Sequence, residues 1–315
     1  MLDLSTLLPP PVLFFALGML AGALRSDLAV PDSLAKGLSL YLMMAIGLKG
    51  GAALAVAGAG GTMLPTLGAG IILSLLLPLP AFLALRALVG LDRTTAGAVA
   101  AHYGSVSVVT FAAAQGVLSA RGVQAEPFMP AVLAAMETPA IVTGLLLARG
   151  AQGGVFSSRL LREVFLNGSV VLLLGSFLIG WIGGAAAERQ LAPFTTQLWQ
   201  GALCFFLLEM GLMASRQLRA SGRGLPPGLI AFGVLMPLLG GVCGWAAGVL
   251  VGLSPGGVAL LTVLAASASY IAVPAAMRMA LPEADAGIYV TISVAVTFPF
   301  NILAGIPLYL WLAGA

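Results

Sequence analysis

The chain has 315 residues, of which 60% are apolar and only 8% charged, with a net charge of +3. A soluble domain carries about 25% charged residues, so this composition excludes an ordinary globular surface and predicts an all-α integral membrane protein. The basic residues are spread over connecting segments, which leaves no patch for nucleic acid.

The N-terminus has no basic region and no small-residue cleavage site ahead of "LLPPPVLFFALGMLAGAL", so no signal peptide is expected. A spanning helix needs about 20 mostly apolar residues. Ten such segments follow, at 10–24, 33–50, 63–85, 95–117, 128–148, 164–184, 197–214, 226–252, 256–280 and 287–312. With both termini outside, the inner loops hold Arg25, Lys36, Arg86, Arg93, Arg149, Arg159, Arg162, Arg216, Arg219, Arg223 and Arg278. Only Lys49, Arg121 and Arg189 fall outside. Eleven against three is the bias expected of a cytoplasmic face.

The longest polar connection, "GAQGGVFSSRLLRE" at 150–163, divides the chain into 1–149 and 164–315. The two parts resemble each other. "LMMAIGLKGG" (42–51) aligns with "FFLLEMGLMA" (205–214), and "LDRTTAGAVAAHYGSVS" (91–107) with "LSPGGVALLTVLAASAS" (253–269). "ETPAIVTGLLL" (137–147) likewise aligns with "TFPFNILAGIPLYL" (297–310). Five helices per copy make the second enter from the opposite side, giving two inverted repeats of the kind many secondary transporters use.

The fourth and ninth segments each contain a polar stretch, "HYGSVSVVT" (102–110) and "ASASYIAVP" (266–274), at equivalent places in the repeats. Polar backbone at membrane depth is tolerated only inside protein or along a cavity. If each helix breaks there, new half-helices start near Gly104–Ser105 and near Ser267–Ser269, with serine as cap and Pro274 aiding the second disruption. Two N-termini brought together expose N–H groups and the positive dipole ends. Gly104, Ser105, Val106, Ser107, Ser267, Ala268 and Ser269 are therefore the expected site for a small anion. The competing reading makes these serines small helix-packing residues.

Glu137 lies mid-membrane beside Thr138 and Pro139, and an intramembrane carboxylate points to function. Its oxygens suit a sodium ion, with Tyr103, Thr138, Ala266 and Asn301 as further oxygen sources. The alternative is a protonated structural acid. Glu209, with Arg216 one to two turns away, reads as a surface or interface pair. His102 is the only histidine, which argues against a metalloenzyme and leaves a proton relay or a structural imidazole. Cys204 and Cys243 lie in apolar segments and read as buried thiols. No HExxH, GxSxG or P-loop is present, so an enzyme would lack residues for its chemistry. A sensory or channel-like protein lacks any output domain in loops this short.

The runs "LSLYLMMAIGLKGG" (38–51), "AAHYGSVSVVTF" (100–111), "METPAIVTGLLLA" (136–148) and "SASYIAVPAAMRMALPEAD" (267–285) resemble the sodium-dependent bicarbonate transporter (SbtA) family over nearly the whole chain. The resemblance implies a bacterial inner-membrane symporter of bicarbonate with sodium, assembled as a homotrimer. It also implies an elevator motion, in which a core of helices 3–5 and 8–10 moves against a scaffold of helices 1, 2, 6 and 7. A cytoplasmic PII-like regulator accompanies some members. A carrier of another small anion or monocarboxylate, driven by sodium or protons, is the alternative within transport.

Overall fold

The computed structural model describes residues 10–58, 60–150, 166, 168–220 and 225–315, and every regular element among them is helical. Beyond Gly150, the expected linker at 150–163 lies outside the described residues, as do Arg159, Arg162 and Arg223. In chain order the helices are α1 (Pro10–Ala23), α2 (Asp32–Ala57), α3 (Met63–Val89), α4 (Arg93–Gly104), α5 (Val108–Ala120) and α6 (Met129–Arg149). There follow α7 (Gly168–Ala192), α8 (Trp199–Ala220), α9 (Pro227–Val251), α10 (Pro255–Ala266), α11 (Ala272–Ala280) and α12 (Ala286–Ala313).

Among the described residues, seven helical runs are long and apolar enough to cross a membrane: Ser33–Ala57, Met63–Val89, Arg93–Ala120, Met129–Arg149, Val170–Arg219, Pro227–Val251 and Ala286–Ala313. The chain is thus a multi-pass membrane protein. The difference from ten expected segments has three sources. The first segment is represented by the 14-residue α1 and the ninth by the 12-residue α10. The sixth and seventh are fused in the 50-residue run Val170–Arg219. At about 1.5 Å per residue such a run exceeds twice a bilayer's apolar thickness. It bends at Gly184, whose φ of 52° and ψ of −145° suit only a residue without a Cβ.

Two pairs of helices approach backbone to backbone. A Cβ on Gly18 of α1 would sit 2.1 Å from the Leu208 carbonyl oxygen of α8. One on Gly51 of α2 would sit 1.9 Å from that of Phe177 in α7. Small residues at such crossings let van der Waals packing replace the hydrophobic drive that lipid abolishes. Within Arg93–Ala120, by contrast, residues 95–118 are all buried but the half-buried Gln115, which is the condition the polar centre requires.

The buried side chains form two clusters, and the interrupted helices pass from one to the other. Val99 and Tyr103 of α4 belong to the same cluster as Val273 and Met277 of α11. Val109 and Phe111 of α5 pack in the other cluster with Leu260 and Leu264 of α10. The pairs α4–α5 and α10–α11 therefore traverse the core in opposite chain directions.

Replacing Gly51 with Val should force α2 and α7 apart, since inserted volume in a packed contact costs about 1–3 kcal/mol or more. We expect a lowered thermal midpoint and reduced monodisperse yield in detergent. Gly68→Ala, where no heavy atom outside its own helix lies within 4 Å of the added Cβ, should leave both unchanged. Equal behaviour of the two variants would contradict the close crossing.

Candidate anion and cation site at two interrupted helices

The site begins with two well-started helices. Asp92 caps α4 by accepting the Thr95 N–H at 2.9 Å, and that bond holds its carboxyl below the usual carboxylate range. Ser254 caps α10 by accepting the Gly257 N–H at 3.2 Å. Glu126 anchors this cap from outside, its carboxylate accepting the Ser254 N–H at 2.7 Å and hydroxyl at 3.0 Å. Both helices run 12 residues and stop at a serine in extended geometry. Ser105 has ψ 178° and Ser267 ψ 163°.

After the first stop, Ser107 starts α5, its hydroxyl oxygen accepting the Thr110 N–H at 3.1 Å and the Thr110 hydroxyl at 2.9 Å. The second stop resolves differently from the expectation that a serine at 267–269 would cap the new half-helix. α11 starts at Ala272 with Ile271 at the cap position and no side-chain cap. The Ser267 hydroxyl is otherwise engaged. It donates to Leu264 O at 2.8 Å, closing α10. Pro274 falls in the first turn of α11, where a missing N–H costs little.

The two breaks are bonded directly to each other. The Ser107 N–H donates to Ser267 Oγ at 2.9 Å, and the Ser269 N–H donates to the His102 carbonyl at 2.9 Å. Seven residues of this crossing, Gly104 to Ser107 and Ser267 to Ser269, are all buried. The first N–H groups of α5 and α11, on Val108, Val109, Ala272 and Val273, have no hydrogen-bond acceptor among the described residues. Such groups at a helix start are suited to an anion.

Glu137 is tied to this crossing through its backbone. Ser105 Oγ donates to the Glu137 carbonyl at 2.9 Å. Its side chain is 2% exposed, and Oε2 has no hydrogen-bond partner. The helix around it is opened by Ser74 of α3, whose hydroxyl donates to Met136 O at 2.7 Å and accepts the Ala140 N–H at 3.1 Å. One hydroxyl has thus been inserted between the carbonyl and amide that would otherwise close an α-helical turn. Thr138 lies at the bend, and Pro139 begins the second half.

On the opposite side, α12 widens into π-helical turns at Ile292–Thr297 and Asn301–Gly305. Asn301 Nδ2 donates to the Ala266 carbonyl at 2.9 Å, and Tyr309 donates to Asn301 Oδ1 at 3.1 Å. Thr297 donates to Gly233 O at 2.7 Å. Its single proton is thereby spent, so Tyr103, 2.5 Å from the same oxygen, is the donor in their bond. The five residues expected around a cation therefore divide. Glu137 and Thr138 sit on the α6 bend, whereas Tyr103, Ala266 and Asn301 belong to hydrogen-bond chains reaching α12. Thr297 was among the threonines expected to lend oxygens, whereas Ser74 and Tyr309 were not singled out by sequence as site residues. The only signal for Ser74 was a lone hydroxyl in "IILSLLLP" (71–78).

His102 is fully buried, its Nδ1 bonded to Ala98 O at 2.7 Å and its ring stacked on Tyr289 at 4.8 Å. Nε2 has no partner. The Tyr270 hydroxyl lies beside Ser107 yet outside hydrogen-bonding geometry. Glu209 does pair with Arg216, but it is buried rather than on the surface. No group of three or more His, Cys, Asp or Glu residues forms a metal cluster among the described residues. The local chemistry is one of uncharged donors, helix starts and a single carboxylate.

Ser74→Ala should leave the Met136 carbonyl and Ala140 amide without their shared partner. A buried unsatisfied group costs about 1–3 kcal/mol, so the thermal midpoint in detergent should fall by several degrees. An unchanged midpoint would mean that the hydroxyl does not hold the bend.

No match is found among curated proteins. A family model described as the Na+-dependent bicarbonate transporter superfamily matches residues 10–314, nearly the whole chain. A doubly interrupted helix pair beside a buried carboxylate is compatible with a transport site. The chain belongs to the Na+-dependent bicarbonate transporter superfamily.

Proposed function

We propose that the protein is a sodium-coupled symporter that imports bicarbonate across a bacterial inner membrane. The observation that carries this reading is the mutual bonding of the two breaks, Ser107 N–H to Ser267 and Ser269 N–H to His102. Bicarbonate sits at this crossing, held by the N–H groups that start α5 and α11, by the hydroxyls of Ser107 and Ser269, and by those of Ser105 and Ser267, which turn to it from the Glu137 and Leu264 carbonyls. Gly104, Val106 and Ala268 line it with backbone. Sodium binds beside it, with Glu137 and Thr138 as its nearest oxygen donors and the carbonyls near Tyr103 and Ala266, with Asn301, completing the shell.

Ten crossings arranged as two inverted repeats of five account for the opposite directions of α4–α5 and α10–α11. In this arrangement 1–149 and 164–315 are the repeats, and both termini face outward. The glycine-mediated pairs α1–α8 and α2–α7 make the scaffold, and α3–α6 with α9–α12 make the core that carries the site in an elevator motion. A homotrimer built on the scaffold, with a PII-like regulator on the cytoplasmic side, completes the proposal. A 1:1 symport of sodium with a monovalent anion moves no net charge. Each further sodium would add about 2.3 kcal/mol per 100 mV of membrane potential.

Uptake of labelled bicarbonate into proteoliposomes should follow an imposed sodium gradient and vanish when potassium replaces sodium. A hydrogen bond to a charged group is worth about 1.5–3 kcal/mol. Ser105→Ala and Ser269→Ala should therefore each weaken uptake at limiting bicarbonate by about tenfold to a hundredfold. Glu137→Gln should instead raise the sodium concentration needed for half-maximal rate. Uptake driven by a proton gradient, or inhibition by a different monocarboxylate at lower concentration than bicarbonate, would contradict the assignment.

A further inference from the structure

In the proposed orientation three cations break the charge bias: Lys49, Arg121 and Arg189 fall outside, against eleven assigned inside. Two of these are spent on backbone. Arg121 Nη1 donates to the Ala315 carbonyl at 3.1 Å, and Arg189 Nε to the Ala185 carbonyl at 3.3 Å. Lys49, half-buried on α2, has neither an ion pair nor a hydrogen bond among the described residues.

Its surroundings are polar and concave. Two cavities, of about 220 and 280 Å³, are both lined by Lys49 together with Gln115 and Ser119 of α5. The first extends to Glu126 and Glu188, the second to Trp199 and Gln200. Both acids lie in the first cavity, whereas the lining of the second carries no formal charge but the ammonium. Glu126 is committed to the start of α10, and Glu188 is exposed at the rim. In the second cavity a half-buried cation without a counter-charge focuses positive potential into a low-dielectric cleft and raises the local concentration of anions. Gln115 adds an amide donor and Ser119 a hydroxyl of adjustable direction.

We propose that Lys49, Gln115 and Ser119 form an outer binding subsite for a small monovalent oxyanion, of the size and charge of bicarbonate, in the cleft between α2 and α5. This rests on the proposed orientation and substrate. The subsite is separate from the crossing of the broken helices, which contains no Lys or Arg. It captures the anion from outside by charge, whereas the inner site holds it by backbone dipoles. The cleft lies between a scaffold helix and a core helix, so an inward move of the core would carry α5 away from Lys49 and dismantle the subsite.

The test uses the full chain in lipid nanodiscs and the reactivity of its amines. Lys36, the other lysine, is exposed and serves as an internal reference. At fixed pH and ionic strength, replacing gluconate with bicarbonate should slow acetylation of Lys49 by about threefold or more while Lys36 stays unchanged. Ser267→Ala, impaired at the inner site, should keep the protection, so failure of the bicarbonate reading and failure of this subsite are distinguishable. In uptake assays Lys49→Gln should raise KM about threefold to tenfold with the maximal rate preserved, most strongly at low salt, and Lys49→Arg should restore KM. Equal acetylation of Lys49 with and without bicarbonate, loss of protection in Ser267→Ala, or a wild-type KM in Lys49→Gln would each overturn the proposal.

Discussion

A helix broken inside a bilayer frees backbone amides and carbonyls that have no water to turn to. Each one left unsatisfied costs several kcal/mol in hydrocarbon. This chain meets that constraint by making each break the partner of the other. The extended residues after α4 and after α10 exchange hydrogen bonds, Ser107 to Ser267 and Ser269 to His102. Neither break would be tolerable alone at this depth. The burial of the polar centre of Arg93–Ala120, the opposed directions of the two helix pairs and the caps at Asp92 and Ser254 all serve that crossing.

In the proposed site the same crossing would make two ligands of opposite charge depend on one another. Ser105 ends α4 and also bonds the Glu137 carbonyl, so a shift of the break is felt at the α6 bend that Ser74 holds open. A shared element of this kind makes any gain in anion affinity from sodium equal to the gain in sodium affinity from the anion. The rigid glycine contacts of α1 with α8 and of α2 with α7 are elsewhere, and they leave the crossing free to respond as a unit.

The membrane class and the two places of interruption were legible because they rest on composition and on polar residues misplaced in apolar runs. "HYGSVSVVT" and "ASASYIAVP" announce themselves by contrast with their flanks. The count of spanning helices was less legible: α1 and α10 are shorter than a span, and Gly184 turns the chain without ending its helical run. The start of α11 was misjudged because cap preference is local, whereas the Ser267 hydroxyl is claimed by the Leu264 carbonyl of α10. Ser74 and Tyr309 escaped notice for a related reason. A single hydroxyl in a greasy helix usually bonds its own backbone, and only the fold brings Ser74 to Met136 or Tyr309 to Asn301.

The central claim is that backbone amides at the two helix starts hold the anion. Solid-state NMR can measure it directly, through the dipolar coupling between 13C-bicarbonate and backbone 15N in protein labelled at valine and serine amides, with sodium present. The account predicts dephasing of the bicarbonate carbon by these amides, consistent with direct contact, and its loss when potassium replaces sodium. Bound bicarbonate that shows no coupling to valine or serine amides would contradict it.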